Sequence, residues 1–308
     1  MIPKYLKLFQ NGQFQTRVDE AWEMLRSCEL CPRECGVDRL SDARGVCGAG
    51  LEPVVSSYNE HHGEEPPISG FRGSGTIFLT HCNLRCVFCQ NYPISHLGNG
   101  NEVSCERLAR MMLSLQKRGC HNINFVTPTH YMPQILKALH IAAIEGLNIP
   151  LVYNCGGYES LRAIKILDGI IDIYMPDIKY SERKSSEKYS KAPDYFERAC
   201  TALKEMHSQV GVLQLDSEGV AVSGLLIRHL VLPSDIAGSE AVLQFISKQL
   251  SPDTYVSIMS QYFPAYHAFE FPEIARRITT AEYSKIVNIA EKLNLTRGWI
   301  QGHLEHRL

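Results

Sequence analysis

The stretch GSGTIFLTHCNLRCVFCQNY, residues 73–92, decides the fold. It opens with an apolar run, GTIFLT (75–80), whose near-continuous hydrophobic character is typical of a strand buried on both faces of a parallel sheet. Cys82, Cys86 and Cys89 follow directly, spaced C-x3-C-x2-C. A loop at the carboxyl end of a parallel strand lies at the edge where α/β folds place their sites. The stretch therefore predicts a thiol-rich site at the mouth of a parallel α/β fold.

Five further apolar runs repeat this strand pattern downstream. They are rich in Val, Ile, Tyr and Phe, and they are NINFVT (122–127), PLVYN (150–154), IDIYM (171–175), LLIRHLVL (225–232) and TYVSIM (254–259). Helix-like segments lie between them, and one of these begins at a capping Ser104 and ends at Gly119. Six strand–helix units in order imply right-handed crossovers and a curved parallel sheet.

Six units are fewer than the eight of a closed barrel, so the fold class we predict is α/β, with a partial (β/α)6 TIM-like barrel. A doubly wound open sheet ranks second, because no glycine-rich phosphate loop follows an early strand. We divide the chain into a Cys-rich N-terminal extension, residues 1–72, and a partial-barrel domain, residues 73–308. In the second part, Glu218-Gly219 predicts a hairpin turn, and Thr279 with Glu282 predicts a capping box.

Composition narrows the class of protein. The net charge of −2 offers no basic face for nucleic acid, and no apolar run of membrane-spanning length occurs. The N-terminus lacks the long apolar core of a secretory signal. Eleven cysteines, an odd number, do not predict a disulfide framework in a chain without export. We expect a cytoplasmic protein with metal chemistry, which binds neither nucleic acid nor a membrane.

Three clustered thiolates are soft ligands that suit an iron–sulfur cluster or zinc. On a four-iron cluster, three thiolates leave one iron with an open position, where a small molecule can bind. Phe88, just before the third cysteine, adds an apolar face beside this position. The alternatives are a zinc site and inert core thiols.

The motif CNLRCVFC resembles the C-x3-C-x-aromatic-C motif of the radical S-adenosylmethionine (SAM) enzymes. The wider stretch, together with CELCPRECGVDR near the N-terminus, resembles the proteins related to pyruvate formate-lyase activating enzyme. The resemblance implies a [4Fe-4S] cluster on Cys82, Cys86 and Cys89, with SAM on the open iron and Phe88 near the adenine. It also implies reductive cleavage of SAM to a 5′-deoxyadenosyl radical that abstracts hydrogen. The implied partners are a one-electron donor, such as flavodoxin or ferredoxin, and an unknown protein or small-molecule substrate.

The resemblance extends to two other strand ends. In YNCGGYES (153–160), it implies that SAM is lined by Asn154, Cys155, Gly156 and Gly157; a plain strand-to-helix turn is the alternative. In YMPDIKY (174–180), it implies that Asp177 and Lys179 reach the methionine end of SAM. These two residues alternate on a strand and so face one side, and the alternative is a surface ion pair.

Four more polar or aromatic side chains occupy lining or mouth positions of later strands: Arg228, His229, Gln261 and Tyr262. A satisfied core histidine is the favoured interpretation of His229. No side chain is assigned a catalytic role.

One segment departs from the activating-enzyme pattern. Those enzymes carry a Gly-Gly-Glu motif after their second strand, whereas this chain has VTPTHYMPQ (126–134). Thr127, Thr129 and His130 are the candidates to replace that contact with the SAM amino group. The departure argues against a simple glycyl-radical activase.

A second cysteine group lies near the N-terminus. Cys28, Cys31, Cys35 and Cys47 have C-x2-C-x3-C-x11-C spacing and form a tentative second metal site, for zinc or an auxiliary cluster; reduced thiols are the alternative. The following histidine–glutamate run, 61–65, is interpreted as solvated surface and is assigned no role; an approach to the mouth is the alternative. Cys105, Cys120 and Cys200 are interpreted as ordinary buried thiols.

Two functional classes remain at this stage. The first is a radical SAM enzyme, and the second is a non-catalytic metal-binding scaffold or electron carrier. Site residues after several strands favour the enzyme, since a carrier needs no barrel mouth.

Overall fold

The computed structural model describes residues 2–301. The strands are β1 (Val54–His61), β2 (Ser74–Leu79), β3 (Asn101–Glu102), β4 (Ile123–Val126), β5 (Leu151–Cys155), β6 (Ile173–Pro176), β7 (Gln214–Leu215), β8 (Ala221–Leu230), β9 (Tyr255–Met259) and β10 (Gly298–Ile300). The helices are α1 (Lys4–Gln10), α2 (Phe14–Glu23), α3 (Pro66–Ser69), α4 (Tyr92–Ser95), α5 (Cys105–Lys117), α6 (Met132–Ile144), α7 (Leu161–Ile166), α8 (Arg183–Ser190), α9 (Tyr195–Val210), α10 (Ser239–Phe245) and α11 (Thr280–Lys292). All six strands predicted from apolar runs are present.

The strands form one sheet in the order β10-β9-β8-β6-β5-β4-β2-β1-β3, with β7 paired to β8 as the predicted hairpin. From β2 to β10 every neighbouring pair along this order is parallel. The parallel strands follow the sheet in chain order. A doubly wound sheet would reverse its order at a switch point, and this one does not.

A side-chain contact across the sheet demonstrates its curvature. Glu64 Oε1 accepts a hydrogen bond from Asn124 on β4 at 3.1 Å, and Glu64 Oε2 lies 3.4 Å from Arg228 on β8. Those two strands are separated by β5 and β6, which would put them about 14 Å apart in a flat sheet. One glutamate contacts both strands because the sheet curls around the segment before β2. The predicted fold class, an α/β partial barrel, is confirmed.

Local sequence signals explain where the helices begin. The Ser104 hydroxyl accepts the Arg107 amide at the start of α5, and Thr279 with Glu282 forms the predicted capping box of α11. Proline stands in the first turn of α6, where its missing N–H costs nothing.

Three strands were not predicted, and all of them extend the sheet. One is the two-residue β3, which pairs antiparallel with β1. β1 pairs antiparallel with β2, so the Cys-rich segment 1–72 contributes a strand to the sheet of the barrel. β10 adds a seventh parallel strand beside β9. Buried residues from Tyr5 to Leu295 form one large core with members on both sides of residue 72, and seven other buried residues, among them Ile68 and Val152, form a smaller separate cluster. No helix within residues 2–301 is long and apolar enough to cross a membrane.

Candidate active site

The three-cysteine loop begins where β2 ends and is held against the end of α8. The amide of Arg85 donates to the Ser190 carbonyl at 3.2 Å, and the amide of Val87 donates to the Tyr189 carbonyl at 2.8 Å. His81 takes a left-handed conformation, φ 65°, which turns the chain out of the strand. The loop therefore lies at the carboxyl mouth of the sheet, as the sequence predicted.

Each of the three thiols has a polar neighbour. The Leu84 amide donates to Cys82 Sγ at 3.4 Å, and the Ser190 hydroxyl donates to Cys86 Sγ at 3.0 Å. Cys89 Sγ lies 3.0 Å from the Ser95 hydroxyl. Hydrogen bonds to ligand sulfur orient it and tune the metal that it holds.

Burial and the neighbouring thiols shift the pKa values of Cys82 and Cys86 in the same direction. Burial raises the pKa of Cys82 strongly, and the charges that Cys86 and Cys89 would carry raise it further. Burial also raises the pKa of Cys86 to about 11, although the nearby Lys179 ammonium opposes that rise. Without a metal the Cys82 and Cys86 thiols are protonated at neutral pH because their pKa values are raised, so metal binding must release those protons.

The donor set fits a cluster better than a single ion. No group of three His, Cys, Asp or Glu side chains in residues 2–301 converges on a position for one metal ion. A four-iron cluster binds each thiolate through a different iron, so its ligands stand farther apart than those around one ion. The three thiols share one loop, are buried or half-buried, and are the soft ligands that an iron–sulfur cluster takes.

The glycines after β5 let two strand ends approach closely. Gly157 has φ +77°, and a Cβ there would lie 2.1 Å from the Asp177 carbonyl oxygen. At Gly156 a Cβ would lie 3.0 Å from Leu84 in the three-cysteine loop. A larger residue at Gly157 would therefore push the ends of β5 and β6 apart, and one at Gly156 would push the end of β5 away from that loop.

Asn154 and Cys155 point to opposite faces of β5. The Asn154 amide contacts Arg228 and Glu64 on the inner face of the barrel. The buried Cys155 side chain lies against Glu159, on the side of the helices. Of the two, only Asn154 presents a side chain to the inner face.

Asp177, Lys179 and Arg228 form one ion-paired group at the mouth. Asp177 Oδ1 accepts from Arg228 Nε at 2.8 Å, and its Oδ2 accepts from Lys179 Nζ. Burial disfavours the charge on Asp177, but the two cations outweigh it and hold its pKa below the usual range. The side chains are only 14–18% exposed, so this is not the surface ion pair that stood as the alternative.

Glu64 and Glu65 complete this ion-paired group through Arg228. Their burial corrects the interpretation of segment 61–65 as solvated surface. Glu64 and Glu65 are 8% and 4% exposed at the side chain, and their carboxylates lie 3.4 and 4.0 Å from Arg228. Burial raises the pKa of both carboxyls, while Arg228 lowers it. No local signal marks them for burial, because their cation lies 164 residues away from Glu64.

The aromatic residues named from sequence lie in the wall beside the loop. Phe88 is 5% exposed, and its ring centroid lies 5.7 Å from that of Tyr262 and 6.4 Å from that of Tyr180. Tyr262 donates its hydroxyl proton to the Ile274 carbonyl, and the Gln261 carbonyl accepts from Gln90. Both residues thus anchor the segment after β9 to its surroundings.

His229 is the satisfied core histidine that the sequence favoured. Its Nδ1 lies 2.6 Å from the Ile178 carbonyl and its Nε2 lies 2.8 Å from the Ser239 hydroxyl. With both ring nitrogens engaged and the ring buried, it is held inside the protein.

The segment that replaces the Gly-Gly-Glu motif has one accessible candidate. Thr129 donates to Glu159, and His130 Nε2 lies 2.8 Å from the Thr80 carbonyl. Burial lowers the pKa of His130 to about 3, so its ring is neutral. Thr127 alone of the three is half-buried, with φ +60° and its amide donating to the Asn154 carbonyl.

The N-terminal cysteines are gathered around a closed loop. The amide of Cys28 donates to the Val37 carbonyl, and the amide of Val46 donates to Cys35 Sγ at 3.4 Å. Burial raises the pKa of Cys31 to about 12, and the charges that Cys47 and Cys28 would carry raise it further. The four thiols are therefore neighbours, although they do not converge on one ion position within the described residues. The expectation of a second metal there stays a prediction.

A thiol-rich loop at the mouth of a parallel α/β partial barrel defines the class of protein, and comparisons with known proteins specify it. The family model of the radical SAM superfamily matches residues 76–214, which include the three-cysteine loop and the ends of β4, β5 and β6. The chain is 33% identical over 288 residues to the uncharacterized protein MJ0674 of Methanocaldococcus jannaschii, covering 91% of this chain and 78% of that protein. The chain belongs to the radical SAM superfamily, whose enzymes use a [4Fe-4S] cluster and SAM.

Two solved structures resemble the chain at low identity. Streptococcus suis SuiB bound to S-adenosylmethionine gives a TM-score of 0.45 at 12% identity, covering 72% of this chain and 48% of that one. HydG, a maturase of the [FeFe]-hydrogenase, gives a TM-score of 0.48 at 13% identity, covering 71% of this chain and 49% of that one. The chain spans about half the length of each.

Proposed function

We propose that this radical SAM enzyme holds its cluster on Cys82, Cys86 and Cys89 and abstracts hydrogen in the manner of an activating enzyme, from a protein or small-molecule substrate. The observation that carries the proposal is the set of three thiols on one loop, each beside a hydrogen-bonding group, at the carboxyl end of β2. When bound, the reduced cluster and SAM supply a 5′-deoxyadenosyl radical.

Asp177 and Lys179 would orient the methionine end of SAM. Both carboxylate oxygens of Asp177 are occupied by cations, so the groups left to face the mouth are the remaining N–H donors of Lys179 and Arg228. An ammonium group has three donors, and only one is spent on Asp177. Lys179 is therefore suited to donate hydrogen bonds to the carboxylate of the methionyl group.

The glycines and Asn154 would form the wall against which the nucleoside of SAM packs. Because Gly157 brings the β5 and β6 ends together, flat groups can lie close to the backbone there. Phe88 would support the adenine side from the aromatic wall. Thr127, the accessible residue of its segment, would accept from the SAM ammonium in place of a glutamate.

Two further parts of the proposal concern partners. The enzyme needs a one-electron donor, for which flavodoxin or ferredoxin has the right chemistry. The cysteine quartet Cys28, Cys31, Cys35 and Cys47 would hold a second metal or cluster, supported by the mutual closeness of its thiols.

Quantifying 5′-deoxyadenosine tests the proposal. The protein is reconstituted anaerobically with iron and sulfide, reduced with dithionite and mixed with SAM. We expect the wild type to form 5′-deoxyadenosine and the Cys82→Ser/Cys86→Ser/Cys89→Ser variant to form none. Electron paramagnetic resonance of the reduced protein should show a cluster signal that SAM alters, and the variant should lack that response.

A matched control replaces three cysteines outside the mouth, Cys105, Cys120 and Cys200, which lie on α5, after it and on α9. This control should keep the SAM-responsive signal. A wild-type protein that binds zinc and never forms a cluster, or a mouth variant that keeps the SAM-responsive signal, would refute the ligand assignment.

A further inference from the structure

Arg33 lies inside the N-terminal cysteine segment and reaches across to the three-cysteine loop. Its Nε donates to the Asn83 carbonyl at 2.9 Å, and its NH2 donates to the Ser190 carbonyl at 3.2 Å. Its NH1 donates to the Lys191 carbonyl. The guanidinium also lies over the Tyr158 ring, 5.3 Å from the centroid. Within residues 2–301 Arg33 has no carboxylate partner, so its donors serve three main-chain carbonyls.

Those carbonyls belong to the residues that position the cluster ligands. Asn83 directly follows Cys82, and its side chain donates to the Tyr158 carbonyl at 2.6 Å, which ties the loop to the glycine segment after β5. Ser190 donates its hydroxyl to Cys86 Sγ. Ser190 and Lys191 also end helix α8, where a cation interacts favourably with the helix dipole.

The main chain around Arg33 is held in place by hydrogen bonds within the cysteine segment. The Cys28 amide donates to the Val37 carbonyl, and the Gly36 amide donates to the Cys28 carbonyl, which closes the loop that presents Arg33 between Cys31 and Cys35.

A second contact joins the two cysteine segments on the other side. Gly48 directly follows Cys47, and a Cβ there would lie 3.3 Å from Nδ1 of His81, the residue that precedes Cys82. The quartet segment and the three-cysteine loop are therefore packed together at two independent points.

We propose that Arg33 is a positioning residue that couples the N-terminal cysteine segment to the cluster loop, so that the state of that segment sets the stability and potential of the cluster. This inference rests on the proposed assignment of Cys82, Cys86 and Cys89 as cluster ligands. A planar guanidinium can serve three carbonyls at once, whereas a lysine ammonium keeps the charge without that fork. Arg33→Lys and Arg33→Ala therefore separate charge from geometry.

Arg162 offers a matched control. It also links the N-terminal segment to the barrel, through Glu29 at 3.2 Å, but it is exposed and does not touch the three-cysteine loop. Arg162→Ala removes an arginine contact from the same segment while leaving the cluster loop intact.

The test uses the reconstituted full-length protein under anaerobic conditions. The wild type and the three variants are exposed to an iron chelator together with iodoacetamide, and alkylation of each cysteine is followed by peptide mass spectrometry. Loss of one hydrogen bond from a charged donor corresponds to at least about a tenfold change in an equilibrium. We expect Arg33→Ala to speed alkylation of Cys82, Cys86 and Cys89 about tenfold or more, Arg33→Lys to fall between, and Arg162→Ala to match the wild type.

The midpoint potential of the cluster is a second readout, because it responds to the charge of Arg33, whereas looser packing alone would not distinguish Arg33→Ala from Arg33→Lys by charge. A nearby positive charge stabilises the reduced cluster, so Arg33→Ala should lower the potential, and Arg33→Lys should restore it. The buried thiols of Cys105 and Cys120 report opening of the whole fold, and their alkylation should stay at the wild-type rate.

Arg33→Ala with wild-type alkylation rates and potential would overturn the inference. Equal acceleration at Cys105 and Cys120 would overturn it too, because Arg33 would then support the fold as a whole. If reconstitution of the wild type fails to protect Cys82, Cys86 and Cys89 at all, the ligand assignment under the proposed function is what fails. Protection in the wild type that Arg33→Ala leaves unchanged refutes the coupling alone.

Discussion

Replacement of Arg228 by methionine should destabilise the protein far more than loss of an ordinary surface arginine. Arg228 is the central cation of the ion-paired group at the mouth, which it forms with Asp177, Lys179, Glu64 and Glu65. Its Nε and NH2 donate to Asp177 at 2.8 Å and to Asn154 at 2.6 Å. Methionine preserves most of the aliphatic length, so the change removes charge and hydrogen bonds more than volume.

The magnitude follows from the charges left behind. Arg228→Met leaves Asp177 with Lys179 alone and leaves Glu64 and Glu65 without a cation, and breaking a buried ion pair from one side costs about 3–5 kcal/mol. We expect a loss of about 3–5 kcal/mol in the free energy of unfolding at pH 8. The loss should be smaller near pH 5, because burial raises the pKa of Glu64 and Glu65 and both can then take up protons.

Urea denaturation of the metal-free, reduced protein measures this loss. Arg198→Met is the control, since Arg198 is 45% exposed and pairs with Asp194 at 3.0 Å on the surface. It should cost less than about 1 kcal/mol. The double variant Asp177→Asn/Arg228→Met should lose less than the sum of the two single variants, because the second change removes a charge that the first left unpaired.

The reasoning fails if Arg228→Met costs no more than Arg198→Met at pH 8. It also fails if the double variant is strictly additive, since the two side chains would then not interact.

Two further outcomes are expected. Burial raises the pKa of Glu159 from its ordinary 4.5 to about 7, so the stability linked to its proton is fully present below pH 4.5 and is lost as pH rises through 7. That shift corresponds to roughly 3 kcal/mol of stability. Between pH 4.5 and 8 the urea midpoint should therefore fall more for the wild type than for Glu159→Gln. Parallel curves for the two proteins would contradict the raised pKa of Glu159. Gly157→Ala should weaken SAM binding at least about tenfold in equilibrium dialysis, because its Cβ would meet the Asp177 carbonyl oxygen at 2.1 Å. Gly211→Ala is the control, because Gly211 also has a positive φ, +68°, but an added Cβ there would have no atom within 4 Å. Equal losses of SAM binding in both variants would point to backbone strain instead of lost space.

The parallel strands could be predicted because each is buried and encoded by a continuous apolar run. Strand β2, for example, is buried at five of its six residues. Strand β1 escaped prediction for the opposite reason. It lies near the sheet edge, and six of its eight residues, from Ser56 to His61, are half-buried or exposed. VVSSYNEH therefore has no buried-strand pattern.

The candidate site was predictable only where its chemistry is local in sequence. Cys82, Cys86 and Cys89 lie on one loop, and Asp177 and Lys179 lie two residues apart on one face of a strand end, so spacing reveals both sets. Glu64 and Glu65 are buried because of Arg228, and only the three-dimensional curl of the sheet brings them to it. A charge run predicts solvent exposure by default, and a distant partner of opposite charge reverses that default.

The ion-paired group at the mouth contains three carboxylates and two cations, yet its cations keep the donors that a ligand could use. Asp177 bridges Arg228 and Lys179 and spends both of its oxygens doing so, while Glu64 and Glu65 balance Arg228 from the inner side. Lys179, 18% exposed at the side chain, keeps two N–H donors beyond the one that Asp177 accepts. Since Glu64 and Glu65 come from the segment before β2, the Cys-rich N-terminal region fixes the charge of the mouth just as Arg33 fixes its loop. Function at the mouth therefore depends on residues 1–72 as much as on the strands that carry the recognisable motifs.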